Sequence, residues 1–353
     1  MDAKIVFVGL VLFSGLFLAG CTKSGQLPQD PKQAYETLVL KSKQAAPMRA
    51  SYDFDLSFGQ KPVMGFSSVR MQLEVFTESK EKTKTVASIS LLGQKMKTLI
   101  YKVNGKTIQC AEGSVLGSEN GSVQCRVGGK EQEAVAMSQA EAKNLDELFS
   151  DYNISFSGEK TFAGRKSACF LLGYSGKDIK DKNQLSSFTA ASLDGYSFRQ
   201  EICLDEEKGF ISYTKVTTSI YSPLTKKQEE GVGFTMTLTG YSPKVSESDF
   251  ELPVAFSLGS PLKGSECNPG TVKLKVTPFK ELAGKKAVLK IEKPALGSGK
   301  NEVEQQIEIT LPQLELFKEN DLNIQTKEPI SGSKQLELCI GNDCVQSGCW
   351  VFE

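Results

Sequence analysis

The sequence predicts a mainly β protein with a few helices (α+β): a long run of antiparallel strands followed by a small β-sandwich. Three observations carry this. Apolar and polar residues alternate with period two in segment after segment, turn signals separate those segments, and helix-start signals are clearest at two places, Asp30-Pro31 and Ser138. Period-two alternation gives a strand one apolar and one polar face, the pattern of an antiparallel sheet buried on one side.

The chain opens with an apolar run from Ile5 to Leu18 that ends in Leu18-Ala19-Gly20-Cys21. At about 14 residues the run is short of the roughly 20 that a spanning helix needs. Small residues before a cysteine, directly after such a run, resemble the lipobox of prokaryotic (bacterial or archaeal) surface lipoproteins. The resemblance implies a signal peptide over 1–21, diacylglyceryl transfer to the Cys21 thiol, and cleavage before Cys21. It also implies attachment to a membrane through that lipid, in an extracytoplasmic space such as the cell surface or a periplasm. A signal anchor that ends by chance in cysteine is the alternative. Residues 22–29 are polar and read as a tether.

Composition excludes several function classes. Lys+Arg and Asp+Glu are equal at 42 each, so a nucleic-acid partner lacks its basic footprint. The chain has no histidine, which removes Ser-His-Asp and Cys-His catalysis and the commonest metal ligand.

The body begins with Asp30-Pro31, an N-cap followed by proline at the first helical position. Tyr35, Leu38 and Val39 supply the stripe of a helix ending before Pro47. In 51–58, Tyr52, Phe54, Leu56 and Phe58 face one way and Asp53, Asp55 and Ser57 the other. In 69–75, Val69, Met71, Leu73 and Val75 alternate with Arg70, Gln72 and Glu74. Further strands are expected over 86–92 and 96–103, and Asn104-Gly105 turns into 106–110. Ser138-x-x-Glu141 before Ala142, Leu145, Leu148 and Phe149 is a capping box that opens a helix. Strands resume at 154–156 and 167–174, a mixed segment covers 178–193, and strands follow at 197–204, 210–220 and 232–241. These elements define a first domain over 30–255, closed by residues 246–253. A Gly/Ser/Pro-rich linker over 256–264 leads to a second domain, 265–353, with short strands at 272–276, 287–291, 306–311 and 335–340. Its size and strand spacing resemble an immunoglobulin-like domain.

Nine cysteines occur, and setting Cys21 aside leaves an even number, which outside the cytoplasm implies disulfides. Zinc is the rival reading, but no Cys-x-x-Cys spacing occurs. Cys110 and Cys125 flank a Gly/Ser-rich loop. Cys169 and Cys203 lie on two separate strand candidates. Cys339 and Cys344 flank a four-residue hairpin loop, and Cys267 is left with Cys349. The expected bridges are therefore Cys110–Cys125, Cys169–Cys203, Cys339–Cys344 and Cys267–Cys349. Trp350, next to the last cysteine, is expected to cover that bridge or the sheet end.

The order of elements carries a further resemblance. A helix after the tether, an antiparallel meander, a mid-domain helix, Cys203-Leu-Asp-Glu-Glu-Lys-Gly-Phe-Ile-Ser-Tyr213 and a closing Ser248-Asp-Phe-Glu-Leu-Pro253 are together similar to the LolA/LolB-type surface lipoproteins. The similarity covers 30–255. It implies a curved antiparallel sheet, an unclosed barrel, capped by helices, whose concave face holds lipid or acyl chains. Tyr52, Phe54, Leu56, Phe58, Val69, Met71, Leu73 and Val75 are the candidate lining of such a pocket. Their other reading is ordinary core.

Remaining signals are weaker. Asp53 and Asp55 lie about 7 Å apart on one strand face and read as a solvated surface. Ser157-Gly-Glu-Lys160 matches Ser-x-x-Lys without its partner motifs. Asn120-Gly-Ser122 and Asn153-Ile-Ser155 are glycosylation acceptor sequences. The expectation is a lipid-anchored binding protein without catalysis or cofactor. It would bind a hydrophobic or amphipathic ligand, with a possible protein partner at the C-terminal domain. The alternative is an envelope scaffold or adhesion lipoprotein with a fully packed sheet.

Overall fold

A computed structural model describes residues 27–42, 47–58, 68–79, 81–91, 94–103, 105–112, 123–128, 151–175, 196–222, 227–259, 265–294 and 301–351. The chain forms two compact units, Met1–Ser90 with Gly129–Asp249, and Leu91–Gly128 with Phe250–Glu353. The break at Asp249 falls inside the segment expected to close the first domain. Residues 91–128 fall in the second of these units. Alternation along a strand says that one face is buried but not which core buries it.

One helix is described, α1 (Pro31–Ser42). Asp30 caps it, its carboxylate accepting from the Gln33 N–H at 2.8 Å. The first eleven strands are β1 (Met48–Ser57), β2 (Ser68–Ser79), β3 (Lys82–Leu91), β4 (Gln94–Val103), β5 (Lys106–Glu112), β6 (Gln124–Val127), β7 (Asn153–Phe162), β8 (Arg165–Ser175), β9 (Tyr196–Asp205), β10 (Ile211–Ser222) and β11 (Lys227–Ser242). The first unit is a large, curved, unclosed antiparallel sheet in the order β3-β2-β1-β11-β10-β9-β8-β7. Its register matches like with like: Tyr52 lies opposite Leu73 and Leu238, Phe54 opposite Met71 and Met236, Leu56 opposite Val69 and Phe234. A one-residue slip would turn each of these faces outward. The expected helix at Ser138 and the mixed segment 178–193 lie outside the described residues.

In the second unit β4, β5 and β6 pair in sequence. The remaining strands are β12 (Phe256–Leu258), β13 (Ser265–Asn268), β14 (Thr271–Pro278), β15 (Lys286–Lys293), β16 (Glu302–Thr310), β17 (Asn320–Gln325), β18 (Gly332–Ile340) and β19 (Asp343–Val351). One sheet gathers β12, β13 and β17 around β14, and the other runs β16-β15-β18-β19. Val272, Leu274 and Val276 share a core with Leu289, Ile291, Leu336 and Leu338. Part of the expected linker is thus a strand: Phe256 is buried and pairs with Pro278. The short β6 and β13 carry too few residues to show a period. The sandwich departs from the constant-type immunoglobulin arrangement. With β12 and β13 counted as one interrupted edge strand, the fourth strand, β16, pairs with β15 rather than joining the first sheet.

Candidate functional site: the inner face of the large sheet

The inner face is built from matched apolar stripes, but its two best-patterned strands differ in cover. On β1 and just past its end, Tyr52, Phe54, Leu56 and Phe58 are 1%, 2%, 1% and 8% exposed and belong to the packed core. On β2, Val69, Met71, Leu73 and Val75 pack against that core yet remain half-buried. The neighbours explain this. β1 lies between β2 and β11, so Tyr52, Phe54 and Leu56 each have a large apolar residue on both flanks. β2 has β3 on its other flank, where Leu73 meets only Ala87 and Val75 only Thr85; Met71, opposite Ile89, is half-buried although both its flanks are apolar.

Helix α1 covers part of the face. Ala34 and Leu38 are buried in the core, and Tyr35 stands edge-on to Phe170 at 5.5 Å. Burial pushes the Tyr35 hydroxyl well above its ordinary pKa. The turn between β9 and β10 is shaped to receive the helix. Gly209 has φ +76°, and a Cβ there would sit 2.0 Å from the Leu38 carbonyl oxygen. Only glycine permits both that backbone conformation and that approach. The Lys41 Nζ then donates to the Glu206 carbonyl at 2.8 Å.

Polar groups are few. The Arg165 guanidinium donates to both Asp205 oxygens at 2.7 and 2.9 Å and to Glu207 at 2.9 Å. It lies 4.3 Å from the Tyr241 ring centroid, and Tyr241 stacks on Phe210. Asp205 is 1% exposed, and its carboxylate also accepts from the Lys208 N–H at 2.6 Å. The hydrogen bond to Asp205 raises the Arg165 pKa, and that from Arg165 lowers the Glu207 pKa. Nearer the middle of β8–β10, the Tyr174 hydroxyl donates to Gln200 at 3.4 Å, and the Gln200 amide donates to Thr214 at 3.2 Å. Burial pushes Tyr174 up to about 12. The Tyr52 hydroxyl is buried and makes no hydrogen bond. Burial, then the charge of Asp205, raises its pKa far above the ordinary value. Such a face offers apolar surface and isolated hydrogen-bonding points, which suits binding.

Sequence reasoning passed over Tyr174, Gln200 and Thr214. The signal was a lone amide in the stripe Phe198, Gln200, Ile202, Leu204. Among the other expected site residues, Cys21 and Asn120 lie outside the described residues. Asn153 is exposed at the start of β7. Disulfides join Cys110 to Cys125, Cys169 to Cys203 and Cys339 to Cys344, each pair directly opposed across neighbouring strands. Cys267 is disulfide-bonded, while the side chains of Cys349 and Trp350 are not among those described. The Glu337 carboxylate lies close to Cys339 and Cys344, but both sulfurs are spent in their bridge.

No family model and no curated protein matches the chain. Solved structures do. A putative outer membrane lipoprotein-sorting protein domain from Vibrio parahaemolyticus is 13% identical, with a TM-score of 0.23, over 62% of this chain and 94% of that one. The Mycobacterium tuberculosis lipoprotein LppX is 5% identical, with a TM-score of 0.30, over 56% and 88%. A LolA superfamily protein from Nitrosomonas europaea is 7% identical, with a TM-score of 0.23, over 59% and 90%. At TM-scores of 0.30 and below, these likenesses assign neither a ligand nor a residue role to this chain.

Proposed function

We propose that this chain is a lipid-anchored extracytoplasmic binding protein whose large sheet holds a hydrophobic or amphipathic ligand along β2. The observation that carries the reading is the half-buried stripe Val69, Met71, Leu73 and Val75 beside a fully packed β1. Apolar surface left at the margin of a core favours an apolar occupant, at roughly 25 cal/mol per Å² covered. The lipobox supports the location, and the absence of histidine from the chain supports binding without catalysis. The second domain serves as spacer or partner surface.

The packing of Tyr52, Phe54, Leu56 and Phe58 favours a second reading, a scaffold with a closed interior. Native mass spectrometry of the body released from the membrane separates the two. A carrier retains a co-purifying lipid, and Leu73→Gln with Met71→Gln abolishes it while leaving the disulfides intact. A clean apo mass for the unmutated chain, under conditions that keep lipid on other carriers, favours the scaffold. For the anchor, Cys21→Ser releases a folded body from membranes; a variant that stays membrane-bound with its signal attached removes the lipidation reading.

A further inference from the structure

We propose that Asn153 is an N-glycan acceptor, and that its glycan covers the outer face of the large sheet at the β7 edge. The proposal rests on the extracytoplasmic reading above. Among the described residues β7 ends the strand order, with β8 as its only strand partner. An exposed edge of this kind is a template for pairing with another chain. The far half of β7 is protected by its own sequence. A register shift falls between Phe156 and Gly158, Gly158 takes φ +112°, and Lys160 pairs with Glu201. Bulges and lysines are ordinary edge defences.

Among the described residues the near half, 153–156, is regular and carries neither a bulge nor a lysine. Leu171, on the neighbouring strand opposite Ser155, is 48% exposed between the buried Phe170 and Leu172. The acceptor sequence Asn153-Ile-Ser155 occupies this half. Ile154 packs against the core, so Asn153 and Ser155, both exposed, share the outer face. Asn153 lies opposite Gly173 and Ser155 opposite Leu171. A Cβ built on Gly173 would meet nothing within 4 Å, so the floor beside Asn153 is bare. A sugar on Asn153 would lie over that floor and beside Leu171.

In the modification a bond forms between Asn153 Nδ2 and the anomeric carbon of a lipid-diphosphate-linked oligosaccharide. The carbon–oxygen bond to the diphosphate breaks, the diphosphate leaves with the electron pair, and the amide nitrogen gives up one proton.

The test is secretion of the full body, carrying Cys21→Ser behind a yeast secretory signal, followed by glycopeptide mapping and sedimentation. The host signal supplies export, so failure of the chain's own signal cannot mimic failure of the site. The expected result is a glycan on Asn153 that Asn153→Gln and Ser155→Ala both remove and Ser155→Thr keeps. In a background carrying Asn120→Gln, each variant that lacks the Asn153 glycan then self-associates as concentration rises, and Leu171→Lys restores the monomer. A secreted, disulfide-bonded chain bare at Asn153 overturns the acceptor site. Variants lacking the Asn153 glycan that stay monomeric like the chain that carries it overturn the covering role.

Discussion

In the sandwich, β14 throughout and β18 from Lys334 onward alternate buried and half-exposed positions, because two sheets close on one another. Polar groups near that core find partners: Asn301 donates to Glu292 and Gln335, and Gln305 both accepts from and donates to the 327–328 backbone. In the large sheet, cover comes from separate pieces such as α1, and the fit is less complete. All the buried side-chain polar atoms without a partner, those of Tyr52, Thr77, Ser167, Glu206 and Ser212, lie in this unit among the described residues. A buried polar group left unpaired costs about 1–3 kcal/mol. The contrast teaches that two sheets closing on one another satisfy their polar groups, whereas a sheet covered by separate pieces tolerates unsatisfied groups and half-covered apolar surface.

The largest expected effect is at Arg165. Arg165→Met strips Asp205 of both guanidinium hydrogen bonds and leaves a buried carboxylate, which should cost about 3–5 kcal/mol. Calorimetry should show the sheet unit melting earlier while the sandwich transition stays in place. A single transition that moves as a whole would mean the two units unfold together, and the contrast would not extend to their stabilities.

Next come the bridges. Cys169–Cys203 closes 34 residues of chain and Cys339–Cys344 closes 5. Paired Cys→Ala variants should lose about 3–4 kcal/mol at the first and about 2 kcal/mol at the second, since a longer loop regains more entropy on unfolding. Denaturant titration of the two variants checks the order; equal losses would show that native packing around the sulfurs outweighs loop length.

The smallest effect sharpens the comparison most. Tyr52→Phe removes a hydroxyl that has no partner, so stability should stay within about 1 kcal/mol of the unmutated chain or rise. A loss of about 2 kcal/mol in thermal or denaturant unfolding would show that the hydroxyl is satisfied in solution, and the sheet unit would no longer differ from the sandwich at this point.

By itself the sequence determined the local elements. Asp30-Pro31 announces α1, the stripes of β1 and β2 announce strands with one apolar face, and the spacing of Cys339 and Cys344 announces a bridged hairpin. Each of these is decided by residues a few positions apart. Tertiary structure alone decided the rest. Residues 96–110 read as strands, but nothing local to them tells which compact unit they belong to. Leu73 and Leu56 read alike in sequence, but Leu56 lies between Val69 and Phe234, whereas Leu73 has Tyr52 on one flank and only Ala87 on the other. Gly209 looks like an ordinary turn glycine until the Leu38 carbonyl is found where its Cβ would be. An alternating pattern reports that a face is apolar. What covers that face is set by partners more than a hundred residues away, chosen by register and shape rather than by local propensity.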